Sequence, residues 1–199
     1  MTKAELRKTY LVRQRSLSLE QRTKKSRLIS DRFFQTFDLN QIKFLHCFIA
    51  IEKFNEIDTS LIFERFWREF PQITTLVPRV DFETGEMQSL KFTADTELVQ
   101  NAWQIHEPSH NEYVETEKIN MVLAPLLCFD EKGHRVGYGK GFYDKFLSRC
   151  REDCVKIGLS YFEPVEEILD VSEFDVSLDY FVTPNDIFET RGKRDSETR

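Results

Sequence analysis

Residues 121–147 read Met-Val-Leu-Ala-Pro-Leu-Leu-Cys-Phe-Asp-Glu-Lys-Gly-His-Arg-Val-Gly-Tyr-Gly-Lys-Gly-Phe-Tyr-Asp-Lys-Phe-Leu. The near-continuous apolar run 121–129 predicts a strand buried on both faces, as in a parallel sheet covered by helices. Residues 130–134 read as a tight turn. Gly137, Gly139 and Gly141 then alternate with larger residues, so the backbone can approach a ligand closely with its N–H groups free to point at it. A helix over 141–150 follows, its positive end turned toward the same loop, and Lys140 adds a full charge. Phosphate suits such a cradle. The spacing matches neither the P-loop nor the dinucleotide Gly-x-Gly-x-x-Gly pattern, so the glycines also admit the plainer reading of turn residues. Asp144 is open in the same way. An acid in a first helical turn complements the dipole, and an acid beside phosphates can bind a hard cation.

The remainder of the chain extends the α/β reading. A length of 199 residues suffices for one domain with a substantial core. A hydrophobic content of 40% with 31% charged residues is ordinary for a soluble protein, and eighteen Phe predict a core rich in aromatic rings. No stretch nears the roughly 20 apolar residues of a membrane span, and the N-terminus lacks the apolar region of a secretory signal. The expected location is cytoplasmic, with no membrane association. A net charge of −6 argues against general nucleic-acid binding; cations are instead concentrated between Lys3 and Arg32. Cys47, Cys128, Cys150 and Cys154 lack metal-ligand spacing and read as free, buried thiols.

Thr2-x-x-Glu5 and Ser18-x-x-Gln21 are capping boxes that open two helices. The first places Leu6, Tyr10 and Leu17 on one face; the second runs to about Phe37 with Ile29, Phe33 and Phe37 inward. Residues 43–51 predict a buried strand, with His46 as a satisfied core histidine. An amphipathic helix follows with Ile62, Phe63, Phe66, Trp67 and Phe70, and Asp58 as its N-cap. Residues 73–80 and 87–92 predict a hairpin about Thr84-Gly85, 93–119 a loop region, and 155–161 a further strand. Strands alternating with helices predict a single α/β layered domain over 1–187. Its largely parallel (mixed) sheet is flanked by helices, with the ligand site at the carboxyl edge of the strands. The charged stretch 188–199 predicts a disordered tail.

Phe129-Asp130, Gly133 and the run Arg135-Val136-Gly137-Tyr138-Gly139-Lys140-Gly141-Phe142-Tyr143-Asp144 closely resemble the signature of the 5-formyltetrahydrofolate cyclo-ligase family, also called 5,10-methenyltetrahydrofolate synthetases. Its usual form is Arg-Leu-Gly, a variable residue, then Gly-x-Gly-Tyr-Tyr-Asp; Val136 and Phe142 depart from it. Lys3-x-x-Leu6-Arg7 is similar to the family's N-terminal pattern. Phe174-Asp175-Val176 and Phe181-Val182-Thr183-Pro184 are similar to its closing one. Where the family commonly has Gln after the strand at 155–161, this chain has Phe162-Glu163-Pro164.

The resemblance implies an ATP-dependent enzyme that turns 5-formyltetrahydrofolate into 5,10-methenyltetrahydrofolate through a phosphorylated formyl intermediate, with Mg²⁺ and no obligatory protein partner. It sets Lys140 and Arg135 at the phosphoryl group in transfer. ATP lies against Lys3, Arg7 and the loop Arg135, Val136, Gly137, Tyr138, Gly139, Lys140, Gly141, Phe142 and Tyr143. Folate lies against Ile51, Glu56, Trp103, Tyr138 and Phe142, and the metal at Asp144 and Asp175. Arg79 either steadies substrate or pairs with an acid, and Trp103 either stacks on the folate or is plain core. Two rivals remain at this point: an enzyme using the cradle without ATP, such as a phosphosugar isomerase or acyl transferase, and a non-catalytic nucleotide- or folate-binding module.

Overall fold

The computed structural model describes residues 1–102, 105–110 and 112–190. Both capping boxes form. Helix α1 (Lys3–Arg15) starts from Thr2 with Glu5 reaching back, and α2 (Leu19–Thr36) from Ser18 with Gln21 reaching back. Strand β1 (Phe44–Cys47) is shorter than the apolar run 43–51. The chain leaves the sheet there for a 3-10 turn at Glu52–Phe54, closed by Asn55 at φ 54°. Helix α3 (Ser60–Glu69) starts from Thr59, not Asp58. The Thr59 hydroxyl is drawn inward to the Phe48 carbonyl at 2.7 Å, and the Asp58 carboxylate accepts from the Ser60 amide at 3.0 Å.

Strands β2 (Thr74–Val80) and β3 (Met87–Lys91) form the expected antiparallel hairpin, with Gly85 at φ 71° in its turn. The stretch 93–119, expected to be loop, holds three short strands. β4 (Leu98–Gln100) pairs with β5 (His106–Pro108), and β6 (Tyr113–Val114) adds to β3. Main-chain pairing makes these strands, and their short, irregular and mostly exposed sequences give no period-2 signal. β7 (Met121–Pro125) is central. The run 121–129 is not one strand, because Pro125 has no N–H for a further ladder bond. After it β8 (Cys128–Phe129) pairs with β9 (Arg135–Val136) in a separate hairpin. Asp130 is fully buried in that turn, its carboxylate accepting from the amides of Lys132, His134 and Ile168 at 3.0–3.2 Å.

Helix α4 (Phe142–Leu147) is followed by β10 (Val155–Leu159), β11 (Tyr180–Val182) and β12 (Ile187–Glu189). The helix is shorter than 141–150. The expected tail also begins too early: Phe188 and Glu189 pair antiparallel with β11, and the Phe188 ring meets Phe129 at 5.5 Å. Residues 191–199 lie outside the described residues.

The main sheet has the order β12-β11-β10-β7-β1-β2-β3-β6. β11, β10, β7, β1 and β2 run parallel, and the antiparallel pairings lie toward the two edges. β7 shows why both faces must be covered. Met121 and Leu123 join the cluster of Leu6, Ile29, Phe33, Ile62 and Phe66 from α1–α3, while Val122 and Ala124 join Phe146 and Leu147 of α4. The α2–α3 interface is aromatic, with Phe34 and Phe66 at 5.0 Å and Phe34 stacked on Phe70 at 5.7 Å. All four cysteines are free, three of them buried. Among the described residues no helix is long and apolar enough to cross a membrane.

Candidate active site

The β8–β9 hairpin delivers the glycine loop to the carboxyl edge of the sheet. Gly139 and Gly141 have φ 88° and 71°, where a side chain would be strained, and a Cβ on Gly139 would lie 3.0 Å from the Arg7 guanidinium carbon. Gly137 has open space around it. Arg7 of α1 grips the loop, Nε donating to the Gly137 carbonyl at 2.9 Å. One turn earlier Lys3 pairs with Asp175, whose Oδ2 also accepts the Ser172 amide at 2.6 Å. Partial burial raises the Asp175 pKa, but the Lys3 ammonium and the Ser172 amide outweigh it and hold the carboxyl below the usual range.

Arg135 is nearly enclosed, its side chain 6% exposed. Nη2 donates to Asp144 Oδ1 at 2.7 Å and Nη1 to the Val176 carbonyl at 2.5 Å, while the Val176 amide donates to the same Asp144 oxygen at 3.2 Å. Lys140 is exposed at the loop. Because α4 has 6 residues, its dipole adds little; the positive charge here comes from side chains. Val136 and Tyr143 turn inward. Val136 is buried in β9, and the Tyr143 hydroxyl is buried without a hydrogen-bond partner among the described residues. Phe142 packs edge-on against Phe82 at 5.6 Å. His46 is half satisfied: Nδ1 meets Ser89 Oγ at 2.9 Å, Nε2 has no partner among the described residues, and burial lowers its pKa to about 3.

Tyr138 crosses from the loop to a second region. Its ring stacks on Phe54 at 4.9 Å, and its hydroxyl accepts from Gln14 Nε2 at 3.1 Å and acts on the nearby Glu56 carboxyl, lowering its pKa. Glu56 is 7% exposed and accepts the Ile51 amide at 2.8 Å. Burial pushes its pKa up to about 7, against the opposing pull of the Ile51 and Tyr138 hydrogen bonds. A cavity of about 690 Å³ opens here, with Glu56, Phe63, Trp67, His106 and Tyr161 on its walls. A smaller one of about 140 Å³ reaches Ile51. Trp103 lies outside the described residues, although Leu98 and His106 to either side of it line the larger cavity.

Arg79 sits elsewhere, on a separate cavity, donating to Gln88 Oε1 at 3.0 Å and the His110 carbonyl at 3.3 Å. Sequence reasoning missed Gln14 and Tyr161. Gln14 is a polar residue on the inward stripe of α1, and it also donates to the Phe54 carbonyl at 2.7 Å. Tyr161 follows β10 at the carboxyl edge, its hydroxyl donating to the Glu56 carbonyl at 2.9 Å.

Among the described residues no three His, Cys, Asp or Glu side chains cluster to hold a metal. Asp144 and Asp175 each commit one oxygen to a cation and an amide. Their other oxygens could serve a Mg²⁺ ion that keeps its waters and arrives with phosphate. Such a donor set suits a nucleotide-borne ion and is too sparse for a resident one.

The fold and the site define the class: an α/β enzyme whose glycine loop and deep cavity adjoin at the carboxyl edge of a largely parallel sheet. The chain belongs to the 5-formyltetrahydrofolate cyclo-ligase family, whose sequence profile it matches over residues 1–184. It is 27% identical over 188 residues to the 5-formyltetrahydrofolate cyclo-ligase of Mus musculus, covering 89% of this chain and 91% of that one. It is 31% identical over 137 residues to the protein of the same name from Escherichia coli K12, covering 67% and 75%. Its fold is similar to that of the Aquifex aeolicus 5,10-methenyltetrahydrofolate synthetase, with a TM-score of 0.80, 27% identity, and coverage of 98% of this chain and 95% of that one.

Proposed function

We propose that this enzyme converts 5-formyltetrahydrofolate to 5,10-methenyltetrahydrofolate with consumption of ATP and release of ADP and phosphate. A formyl amide oxygen is a poor leaving group, which is why the reaction needs ATP. The formyl oxygen attacks the γ-phosphorus, the bond from that phosphorus to its bridging oxygen breaks, and ADP departs. The neighbouring folate nitrogen then attacks the carbon of the imidate phosphate. It loses its proton, the carbon–oxygen bond breaks, and phosphate leaves with the ring closed. No side chain serves as a nucleophile.

Phosphoryl transfer asks the protein mainly for positioning and charge neutralisation. Lys140, exposed and without a partner among the described residues, takes the charge developing on the transferred group. Gly137, Gly139 and Gly141 let the backbone approach the phosphates, with Lys3 and Arg7 closing over them from α1. Arg135 acts from behind by holding Asp144 in place. Asp144 and Asp175 would hold Mg²⁺, which neutralises phosphate oxygens when bound. In the cavity Glu56 accepts the adjacent ring N–H and amino donors of the pterin, with Ile51 of the adjoining smaller cavity beside the ring; the folate role of Trp103 rests on the family resemblance alone, and Phe142, packed on Phe82, lines neither cavity.

The observation that supports this reading best is Tyr138. It belongs to the glycine loop, yet its hydroxyl acts on the carboxyl of Glu56, which lines the cavity, so phosphate cradle and pterin cavity are neighbours and the γ-phosphoryl group could pass from ATP to the formyl oxygen. The test is an assay with purified protein, 5-formyltetrahydrofolate, ATP and Mg²⁺, following the methenyl product by its near-ultraviolet absorbance. Product formation without ATP, or ATP hydrolysis that ignores the folate, would overturn the proposal.

A further inference from the structure

The larger cavity has an unusual charge balance. Among its described lining residues Glu52, Glu56, Asp58 and Glu64 are acidic, His106 is the one histidine, and Arg22 is the single Arg or Lys. The Arg22 guanidinium forms no hydrogen bond or ion pair among the described residues, and its Nε is sealed from solvent without a partner there. A guanidinium with a buried, unsatisfied donor is costly to keep unless something fills the site. Its helix is also fixed in place. Ser26, one turn further along α2, meets the Tyr161 hydroxyl at 3.2 Å and accepts the Asp58 amide at 3.0 Å, and Lys25 donates to the Tyr161 carbonyl at 3.1 Å. The Tyr161 hydroxyl in turn donates to the Glu56 carbonyl. The stretch of α2 that carries Arg22 is thus fixed relative to Glu56, and both residues line the one cavity.

We propose that Arg22 is the subsite for a carboxylate of the folate's glutamate tail, so that Glu56 takes the pterin end and Arg22 the anionic end of one substrate. This rests on the cyclo-ligase reading of the same cavity. A guanidinium suits a carboxylate because its planar donors match both oxygens. The remaining wall charges repel an anion, so the same cavity that attracts the tail to Arg22 rejects it elsewhere and sets the direction in which folate enters. The volume of about 690 Å³ falls within the roughly 300–1,000 Å³ of ligand pockets.

The test compares two ligands on wild-type protein, Arg22→Met and Arg22→Lys. The first ligand is 5-formyltetrahydrofolate; the second is a 5-formyltetrahydropterin lacking the aminobenzoylglutamate. Arg22→Met is expected to weaken folate binding roughly 10- to 100-fold, the scale of losing a charge-assisted pair, and to leave the pterin fragment unaffected. Arg22→Lys should recover part of the loss, and the wild-type advantage of folate over the fragment should shrink as salt is raised. Equal loss for both ligands, or no loss for either, overturns the Arg22 assignment while leaving the cyclo-ligase reading intact. Wild-type protein that forms no methenyl product overturns that reading itself. Unchanged thermal unfolding of the variants confirms that the comparison is between folded proteins.

Discussion

Glu56→Gln perturbs a buried carboxyl whose ionisation the fold resists. The folded chain holds the Glu56 proton up to about pH 7 because burial disfavours the anion, whereas the ordinary value is 4.5. Between those values the folded state binds more protons than the unfolded one, so stability falls as pH rises. The full stabilisation is present below about pH 4.5 and lost as pH passes 7; across that interval the difference comes to about 3 kcal/mol. Gln does not titrate, so the variant should match wild type near pH 4.5 and exceed it in stability at pH 8. Its amide oxygen can still accept the Ile51 amide. Binding should move the other way. A pterin edge offers two donors, and Gln meets one of them with its own N–H₂, leaving donors unpaired at roughly 1–3 kcal/mol, or about 5- to 150-fold in affinity. Wild-type folate affinity should rise with pH through 7, with proton release on binding, and Gln should flatten both. Denaturant unfolding from pH 4.5 to 8, and calorimetric titration in two buffers of different ionisation heat, measure these effects. A Gln variant with the wild-type pH slope in stability and an unchanged folate affinity would refute the reasoning.

Lys140→Ala should lower turnover by about 10²-fold or more, the scale of removing one preorganised charge partner, with thermal unfolding unchanged because the residue is exposed; near-normal turnover would remove it from the mechanism. Asp144→Asn and Asp175→Asn should each raise the Mg²⁺ concentration for half-maximal rate, and an unshifted magnesium titration for either would leave that residue only its observed cation pairing. Gly158→Ala places a Cβ 2.5 Å from both Leu126 Cδ2 and Phe181 Cδ1. It should cost roughly 1–3 kcal/mol through overpacking, which denaturant unfolding would read directly.

The parts of this fold legible in sequence were those with local physical causes. Thr2/Glu5 and Ser18/Gln21 announce their helices because a capping box is a contact between residues three apart. The run 121–129 announced burial but not its division, because Leu126 and Leu127 before the β8 hairpin and Cys128 and Phe129 within it are as buried as Met121, Val122, Leu123 and Ala124 are in the sheet. The strands β4, β5 and β6 gave no signal, since their order comes from pairing across the chain. At the site, residue types suggested phosphate chemistry and the motif resemblance supplied the roles. Neither could show that Arg135 is already committed to Asp144 and Val176, or that Tyr138 links the loop to Glu56. Arg135 and Asp144 are 9 residues apart, Arg135 and Val176 41, and Tyr138 and Glu56 82, and no local pattern encodes distances set by how the loop, α4 and the later chain pack.

The pairing of Lys3 with Asp175, together with the grip of Arg7 on Gly137, ties segments separated by 172 and 130 residues. Such contacts form late, because a long loop must close before they contribute anything. A nascent chain emerging from the ribosome can assemble β1, β2 and β7 with their helices well before residue 175 is available. It cannot yet close α1 over the glycine loop as the finished protein does. On the proposed function, the grasp of a nucleotide by α1 and the glycine loop is completed only once residue 175 has been made, and a saturating nucleotide should protect the amides of α1 and of the 172–176 turn together in hydrogen exchange, as a single cooperative unit.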